Sequence, residues 1–469
     1  MSRRRMGMVT TTGIVVVGFV VSALVGIFPA RVAPQTTVAS TRTVSVSGDP
    51  SAPLPRPAVM PSATGLGLTP PMGWNGFNHF YLRVTAATVE AAARALVDSG
   101  MKDAGYTYVN LDGGWDLRWR NATGTLQPNP AKFPQGIRPV ADYVHSLGLK
   151  FGIYTSAGTQ NCAGTSAGSY GHYRQDAATF ASWGVDYLKL DWCSIPYRNY
   201  PHLTPRQLSQ MLAAQMRDAL AATGRPIVYD VNDWTNDEPW SWARGVANLW
   251  RTTPDVQDSY PSMLWNFTHN VSHHVQAGPG GWNDPDMLET GNGGMSTTEY
   301  QSQFSLWAEM AAPLIAGNDL TTMSATTQSI LTNISVIEVD QDPLGRQGYL
   351  VASADGHWVL TKPLANGGRA VVLFNQTDTP ATISTTAAQV GLAYAPRYML
   401  LDLWSDAATE TAGVITADVP PHGVVMYATY RGRPRLSGNT NSSWPDIPAW
   451  SSQFGAPCAN SPWAPRSES

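Results

Sequence analysis

The chain predicts an α/β fold: a (β/α)₈ TIM barrel followed by a C-terminal antiparallel β-sandwich. Three observations predict it. Between about residues 66 and 345, a short apolar run recurs eight times, each ending in polar or charged residues. Amphipathic helical patterns separate most of these runs, which is the alternation of a parallel sheet. After about residue 345 the helical period disappears, and short strands bounded by turn residues take over. A doubly wound open sheet is the competing arrangement. The position of the acids argues against it: carboxylates fall at the C-terminal ends of the runs, and in a barrel those ends converge on one mouth.

The elements follow in chain order. Arg3, Arg4 and Arg5 precede an apolar run from Gly13 to Phe28, with Pro29-Ala30-Arg31-Val32-Ala33 as a cleavage-like stretch. Residues 1–33 therefore read as a signal peptide or a signal anchor. A cleaved signal is the preferred reading and an uncleaved membrane tether the alternative. Either way the body of the chain is expected outside the cytoplasm, secreted or anchored at the outer face of the membrane. Residues 34–65, rich in Pro, Ser, Thr and Val, are a linker.

The eight runs are Pro71–Phe77, Tyr106–Trp115, Lys150–Gly158, Tyr187–Cys193, Ile227–Asp233, Leu249–Asp255, Gly280–Leu288 and Pro313–Leu320. Their near-continuous apolar character is that of parallel strands buried on both faces. Helices with readable ends lie between them. Thr204-Pro205-Arg206-Gln207 is a capping box with Pro at the first helical position, and Gly224 stops that helix. Ser296-Thr297-Thr298-Glu299 is a second box. Ile137, Val140, Ala141 and Val144 form a stripe closed by Gly148. In the sandwich, residues 346–430, the readable strands are Trp358–Lys362, Ala370–Asn375, Ala381–Thr385, Tyr398–Trp404 and Gly423–Tyr430. Residues 431–469 read as a flexible tail.

Composition narrows the function. With 469 residues, 43% hydrophobic and 14% charged, the chain can build a large core. A net charge of −4 provides no basic field for nucleic acid. Seventeen Trp and eighteen Tyr are mostly core material, but aromatic rings also stack on the CH faces of sugars. Three Cys in an exported chain allow one bridge and leave one sulfur over.

The chemistry gathers at the strand ends. Strand four closes with Lys189-Leu190-Asp191, whose cation and acid share one side of the strand. Strand six carries Arg251 and Asp255, strand two Asp112, and strand seven Asp284 and Asp286. A structural ion pair explains any one of these without catalysis. A divalent metal fits the group poorly, because no His stands among the acids and two cations already compensate them. Acids, cations and aromatic rings in one cleft suit a carbohydrate, and two of the carboxylates supply the nucleophile and general acid of glycoside hydrolysis. No metal or cofactor is expected.

Ordered motifs carry a specific resemblance. They are Pro70-Pro71-Met72-Gly73-Trp74-Asn75, Lys150-Phe151-Gly152-Ile153-Tyr154, Cys162-Ala163-Gly164, Trp183-Gly184-Val185-Asp186, Tyr187 through Cys193, Gly278 through Leu288, and Asp340-Gln341-Asp342-Pro343-Leu344-Gly345. Over roughly residues 66–430 the chain resembles glycoside hydrolase family 27, the α-galactosidases and α-N-acetylgalactosaminidases. The resemblance implies a retaining exo-glycosidase acting on terminal α-D-galactosyl residues, with Asp191 as nucleophile and Asp255 as acid/base. It implies sugar contacts from Trp74, Asp112, Tyr154, Lys189, Arg251 and Asp286, with Asn232 at the end of strand five, and a Cys162–Cys193 disulfide that leaves Cys458 over.

Two departures keep other terminal sugars open, among them isomalto-oligosaccharides, β-L-arabinopyranosides and α-N-acetylgalactosaminides. Asp112 is followed by Gly113 where the family typically has a second acid. Strand five ends Tyr229-Asp230-Val231-Asn232-Asp233-Trp234 instead of in a Cys-Glu-Trp motif. A non-catalytic sugar-binding protein is a further alternative. If the catalytic roles hold, Asp255 should have the higher pKa of the pair, and Arg251 should face substrate or another acid.

Overall fold

The computed structural model describes residues 65–432 apart from residues 235–236. The readings made on residues 1–64, on the tail from residue 433 and on Cys458 lie outside the described residues.

Each of the eight runs contains one strand: β1 (Met72–Asn75), β2 (Tyr108–Leu111), β3 (Lys150–Ser156), β4 (Tyr187–Asp191), β5 (Val228–Asn232), β6 (Leu249–Arg251), β7 (Trp282–Asp284) and β8 (Leu314–Ala316). All neighbouring pairs are parallel, in the order β7-β6-β5-β4-β3-β2-β1-β8. The ring closes just beyond β7, where Leu288 bridges Ala316. Leu288 donates its N–H to the Ile315 carbonyl at 2.8 Å, and its own carbonyl accepts from Gly317 at 2.8 Å.

Nine helices occur among the described residues: α1 (Phe77–Phe80), α2 (Ala86–Asp98), α3 (Arg138–Ser146), α4 (Tyr173–Trp183), α5 (Pro205–Ala222), α6 (Tyr260–Asn270), α7 (Thr297–Glu309), α8 (Ala325–Leu331) and α9 (Ile334–Asp340). Both sequence-read capping boxes form, at Thr204/Gln207 and at Ser296/Glu299. A third, Thr85/Thr88, opens α2. There a Thr hydroxyl does the work of the expected Glu or Gln, so the motif escapes the usual pattern. Among the described residues no helix is long and apolar enough to cross a membrane.

Strand alternation builds the barrel interior in layers. Tyr108, Tyr187, Val228 and Leu249 form an apolar floor, with Leu66 packed against it. Two residues further along each strand, the same faces carry Asn110, Lys189, Asp230 and Arg251. The middle of this barrel is therefore polar, where bulky branched residues usually dominate. Gly152 is needed for that layer, since a Cβ there would lie 1.9 Å from the Asn110 side-chain oxygen.

The C-terminal region is a six-stranded antiparallel sheet, β14-β13-β16-β11-β10-β9, and a two-stranded sheet, β12-β15. The strands are β9 (Tyr349–Ala354), β10 (His357–Pro363), β11 (Arg369–Asn375), β12 (Ala381–Thr386), β13 (Tyr398–Asp402), β14 (Ala408–Thr411), β15 (Val414–Val419) and β16 (Val424–Arg431). β11 shows how the two domains join. Val371 and Leu373 face the sandwich core, while Ala370, Val372 and Phe374 join the barrel's core. Phe267 of α6 meets Phe374 edge-on, with ring centres 5.6 Å apart.

Candidate active site

Asp191 ends β4 at the barrel mouth. Its Oδ2 accepts from the Tyr154 hydroxyl at 2.8 Å, and its Oδ1 from the Trp192 N–H at 2.9 Å. Cys162 and Cys193 are bridged, with Cα atoms 5.0 Å apart. The Cys162 sulfur lies 2.9 Å from Asp191 Oδ2. Although this carboxylate and the two sulfurs converge like a metal site, bonded sulfurs have no thiolate to offer a cation.

Lys189 and Asp112 form the next unit. The ammonium donates to Asp112 Oδ2 at 2.8 Å, the Asn75 amide donates to the same oxygen at 2.7 Å, and the Gly113 N–H donates to Oδ1 at 2.6 Å. Lys189 also sits 5.8 Å from the centre of the Tyr154 ring.

Arg251 is the third unit. It is 1% exposed, and its guanidinium reaches Asp255 at 2.6 Å and Asp286 at 3.0 Å. Asp286 has φ +79°, in the left-handed region that costs a non-glycine residue roughly 1–3 kcal/mol. Four contacts hold it there. Its N–H donates to Asp284 Oδ1, its carbonyl accepts from the Trp307 indole, its Oδ2 accepts from Val256 N–H, and Arg251 pairs with Oδ1. Backbone strain sustained this way concentrates at functional sites.

A cavity opens to solvent between these units, lined by Asp112, Tyr154, Lys189, Asp191, Asn232, Asp255 and Asp286. Seven of the nine expected catalytic and sugar-contacting residues thus share one wall. The other two do not. Trp74 is fully buried, and its indole donates to the Asn318 carbonyl at 2.8 Å. Asn75 points into the barrel to reach Asp112, so strand alternation turns Trp74 outward, away from the cavity. The aromatic ring on the wall is Phe77, with Asn78 and Leu82 beside it. Anchoring the alternation of β1 on Asn75 would have excluded Trp74. Arg251 lies behind the wall, in an inner cavity with Asp230 and Asp284, and acts through the acids it holds.

The electrostatics also correct the expected order of the pair. Burial pushes the Asp191 carboxyl above its ordinary value, opposed by the Lys189 charge and the Tyr154 hydrogen bond. The Arg251 guanidinium holds Asp255 below its ordinary value. In the ligand-free protein Asp255 is therefore the stronger acid. The reason is the Arg251–Asp255 contact, which was expected to be absent. It forms because Asp255, four residues past Arg251 and 72% exposed, folds back over the loop to meet the guanidinium. Two other buried acids are raised as well: Asp230 to about 7 and Asp284 to about 6, both chiefly by burial.

Comparison with known proteins agrees along the chain. Residues 69–342 match the family model described as alpha galactosidase A, and residues 354–429 the one described as alpha galactosidase C-terminal beta sandwich domain. A probable alpha-galactosidase of Dictyostelium discoideum is 45% identical over 370 residues, covering 77% of this chain and 92% of that one. An alpha-galactosidase of Oryza sativa subsp. japonica is 44% identical over 363 residues, covering 77% and 85%. The crystal structure of alpha-galactosidase I from Mortierella vinacea superposes with a TM-score of 0.74 at 35% identity, covering 78% of this chain and 98% of that one.

Proposed function

We infer that this chain, which belongs to glycoside hydrolase family 27, the α-galactosidase family, hydrolyses terminal α-D-galactosyl residues of oligo- or polysaccharides with retention of configuration. The observation that carries the residue assignment is that Asp191 and Asp255 line one cavity with Lys189 and Tyr154 between two charge-holding networks.

In this reading Asp191 attacks the anomeric carbon. Its two hydrogen bonds and the nearby ammonium favour the carboxylate over the acid, against the cost of burial. Asp255 protonates the departing glycosidic oxygen, then takes a proton from the water that releases the sugar. Its resting state is poised for the second step. For the first step Asp255 must gain a proton. The bound sugar excludes the water that stabilises the exposed Asp255 carboxylate, and the ionised Asp191 then raises Asp255. Once the glycosyl ester forms, Asp191 loses its charge and Asp255 becomes more acidic again, as a base that has to ionise should.

The test is a pair of variants and one product analysis. Asp191→Asn should abolish trapping of a covalent glycosyl-enzyme by a fluorinated α-galactoside. Asp255→Ala should harm substrates with poor leaving groups far more than activated aryl α-galactosides, which need little protonation. A first-formed product of inverted configuration, or near-normal turnover of Asp191→Asn, would overturn the assignment. We also propose that the chain acts outside the cytoplasm, secreted or tethered by residues 1–33. Recovery of all the activity in the cytosolic fraction would contradict that.

A further inference from the structure

Two members of the polar middle layer of the barrel, Asn110 and Asp230, have no part in the chemistry above, and three atoms of the layer pose a problem. Asn110 Oδ1, Asp230 Oδ1 and Arg251 Nε belong to side chains at least nine-tenths buried, and none has a hydrogen-bond partner among the described residues. Buried polar groups left this way are costly and rare. All three residues line a single cavity beneath the sugar site. The set contains two acceptors and one donor. A water molecule donates twice and accepts, and buried waters typically make about three hydrogen bonds.

We propose that this inner cavity is a built water site that joins Asp230 to Arg251, making Asp230 a positioning residue that tunes how firmly Arg251 holds Asp255. The argument rests on the reading of Asp255 as acid/base. Arg251 is the link, because its guanidinium ties Asp255 and Asp286 at the mouth while its Nε, on the residue that lines the inner cavity, has no partner among the described residues. The charged and titratable groups facing Asp230 are Tyr187 and Lys189 from β4, Arg251 from β6, and Asp284 with Asp286 at the end of β7. Tyr187 donates to Asp230 Oδ2 at 2.9 Å, which leaves Oδ1 for the water.

The direction of the effect follows. Burial, then the Asp284 charge, raises Asp230 to about 7, so it is neutral in acid and ionises near neutrality. The new negative charge competes for Arg251, weakens its hold on Asp255, and helps Asp255, once protonated in the sugar complex, keep that proton as pH rises. Asp230 thereby extends activity toward the alkaline side.

Asp230→Asn removes the charge with little change of shape. Its basic limb of kcat, which reports the sugar complex, should move down by about one unit, giving roughly tenfold lower kcat near pH 8 and under twofold change near pH 5. A profile that superimposes on wild type, or a loss uniform across pH, would overturn the proposal. A high-resolution crystal structure of the wild-type enzyme decides the case even if the variant does not fold. An ordered water bridging Asp230 Oδ1 and Arg251 Nε supports it, and a dry cavity overturns it. The two readings separate through Asp255→Asn assayed on an activated aryl substrate. If the basic limb survives there, the acid/base assignment fails, whereas the water site stands or falls on the crystal structure.

Discussion

Replacing Lys189 with Met tests the electrostatics of the nucleophile most directly. The ammonium is 12% exposed and pairs with Asp112, whose side chain is 5% exposed. Removing it strands a buried carboxylate, which typically costs about 3–5 kcal/mol. The Asn75 amide and Gly113 N–H still bond Asp112, so the loss should fall near the lower end. The catalytic effect is separate. Lys189 is the leading influence opposing burial at Asp191. A cation within about 4–6 Å of a carboxylate lowers its pKa by roughly 1–3 units. Without it the acid limb of kcat, which reports the sugar complex, should rise by that amount, giving a loss of about tenfold to a thousandfold at pH values below the limb. The basic limb should rise less, because Arg251 and not Lys189 dominates Asp255. The assays are urea denaturation and a pH profile on an aryl α-galactoside. A folded variant with an unmoved acid limb would refute the reasoning.

Three further outcomes follow from the structure. Cys162→Ser opens a loop with a sequence separation of 31; loop-closure entropy predicts about 3–4 kcal/mol of lost stability, and a change under about 1 kcal/mol in denaturant titration would contradict that. Gly113→Asp should fold, because a Cβ there meets nothing nearer than the Tyr154 ring at 3.6 Å. A new acceptor on the cavity wall should sharpen discrimination for α-galactoside over its 6-deoxy analogue by about 1.5–3 kcal/mol, read as a ratio of kcat/KM values that otherwise stays unchanged. Glu309 and Asp340, both raised by burial to about 8, keep protons in the folded state that the unfolded chain releases near pH 4. Stability is therefore full below about pH 4 from these groups and lost as pH rises toward 8, by a few kcal/mol. Glu309→Gln should flatten that fall in denaturation midpoints measured at pH 5 and pH 8, and a wild-type midpoint that rises over this range would exclude the effect.

How much was legible in the sequence depended on what each feature requires. The eight barrel strands were readable because a strand buried on both faces is mostly apolar, and most of the acids gather toward its C-terminal end. β9 and β14 were not. They are the edges of their sheet and mostly exposed, so no buried residue marks them, whereas β15 carries a readable alternation, with Ile415 and Val419 buried between exposed neighbours, that the sequence reading passed over. The acids of the site were legible as types at strand ends, and Asp112, Tyr154, Lys189, Asp191, Asn232, Asp255 and Asp286 do meet at one cavity.

Partner choice within that cluster was less legible. Arg251 has Asp255, Asp284 and Asp286 within electrostatic reach, and the sequence ranks none of them. The winner is set by where a loop turns: Val256 N–H fixes Asp286 Oδ2, which leaves Oδ1 for one guanidinium nitrogen and frees the other for Asp255. The protonation order of the two carboxylates is therefore a property of the folded loop after β6, and the same loop geometry is what the arriving sugar must disturb to give Asp255 its proton.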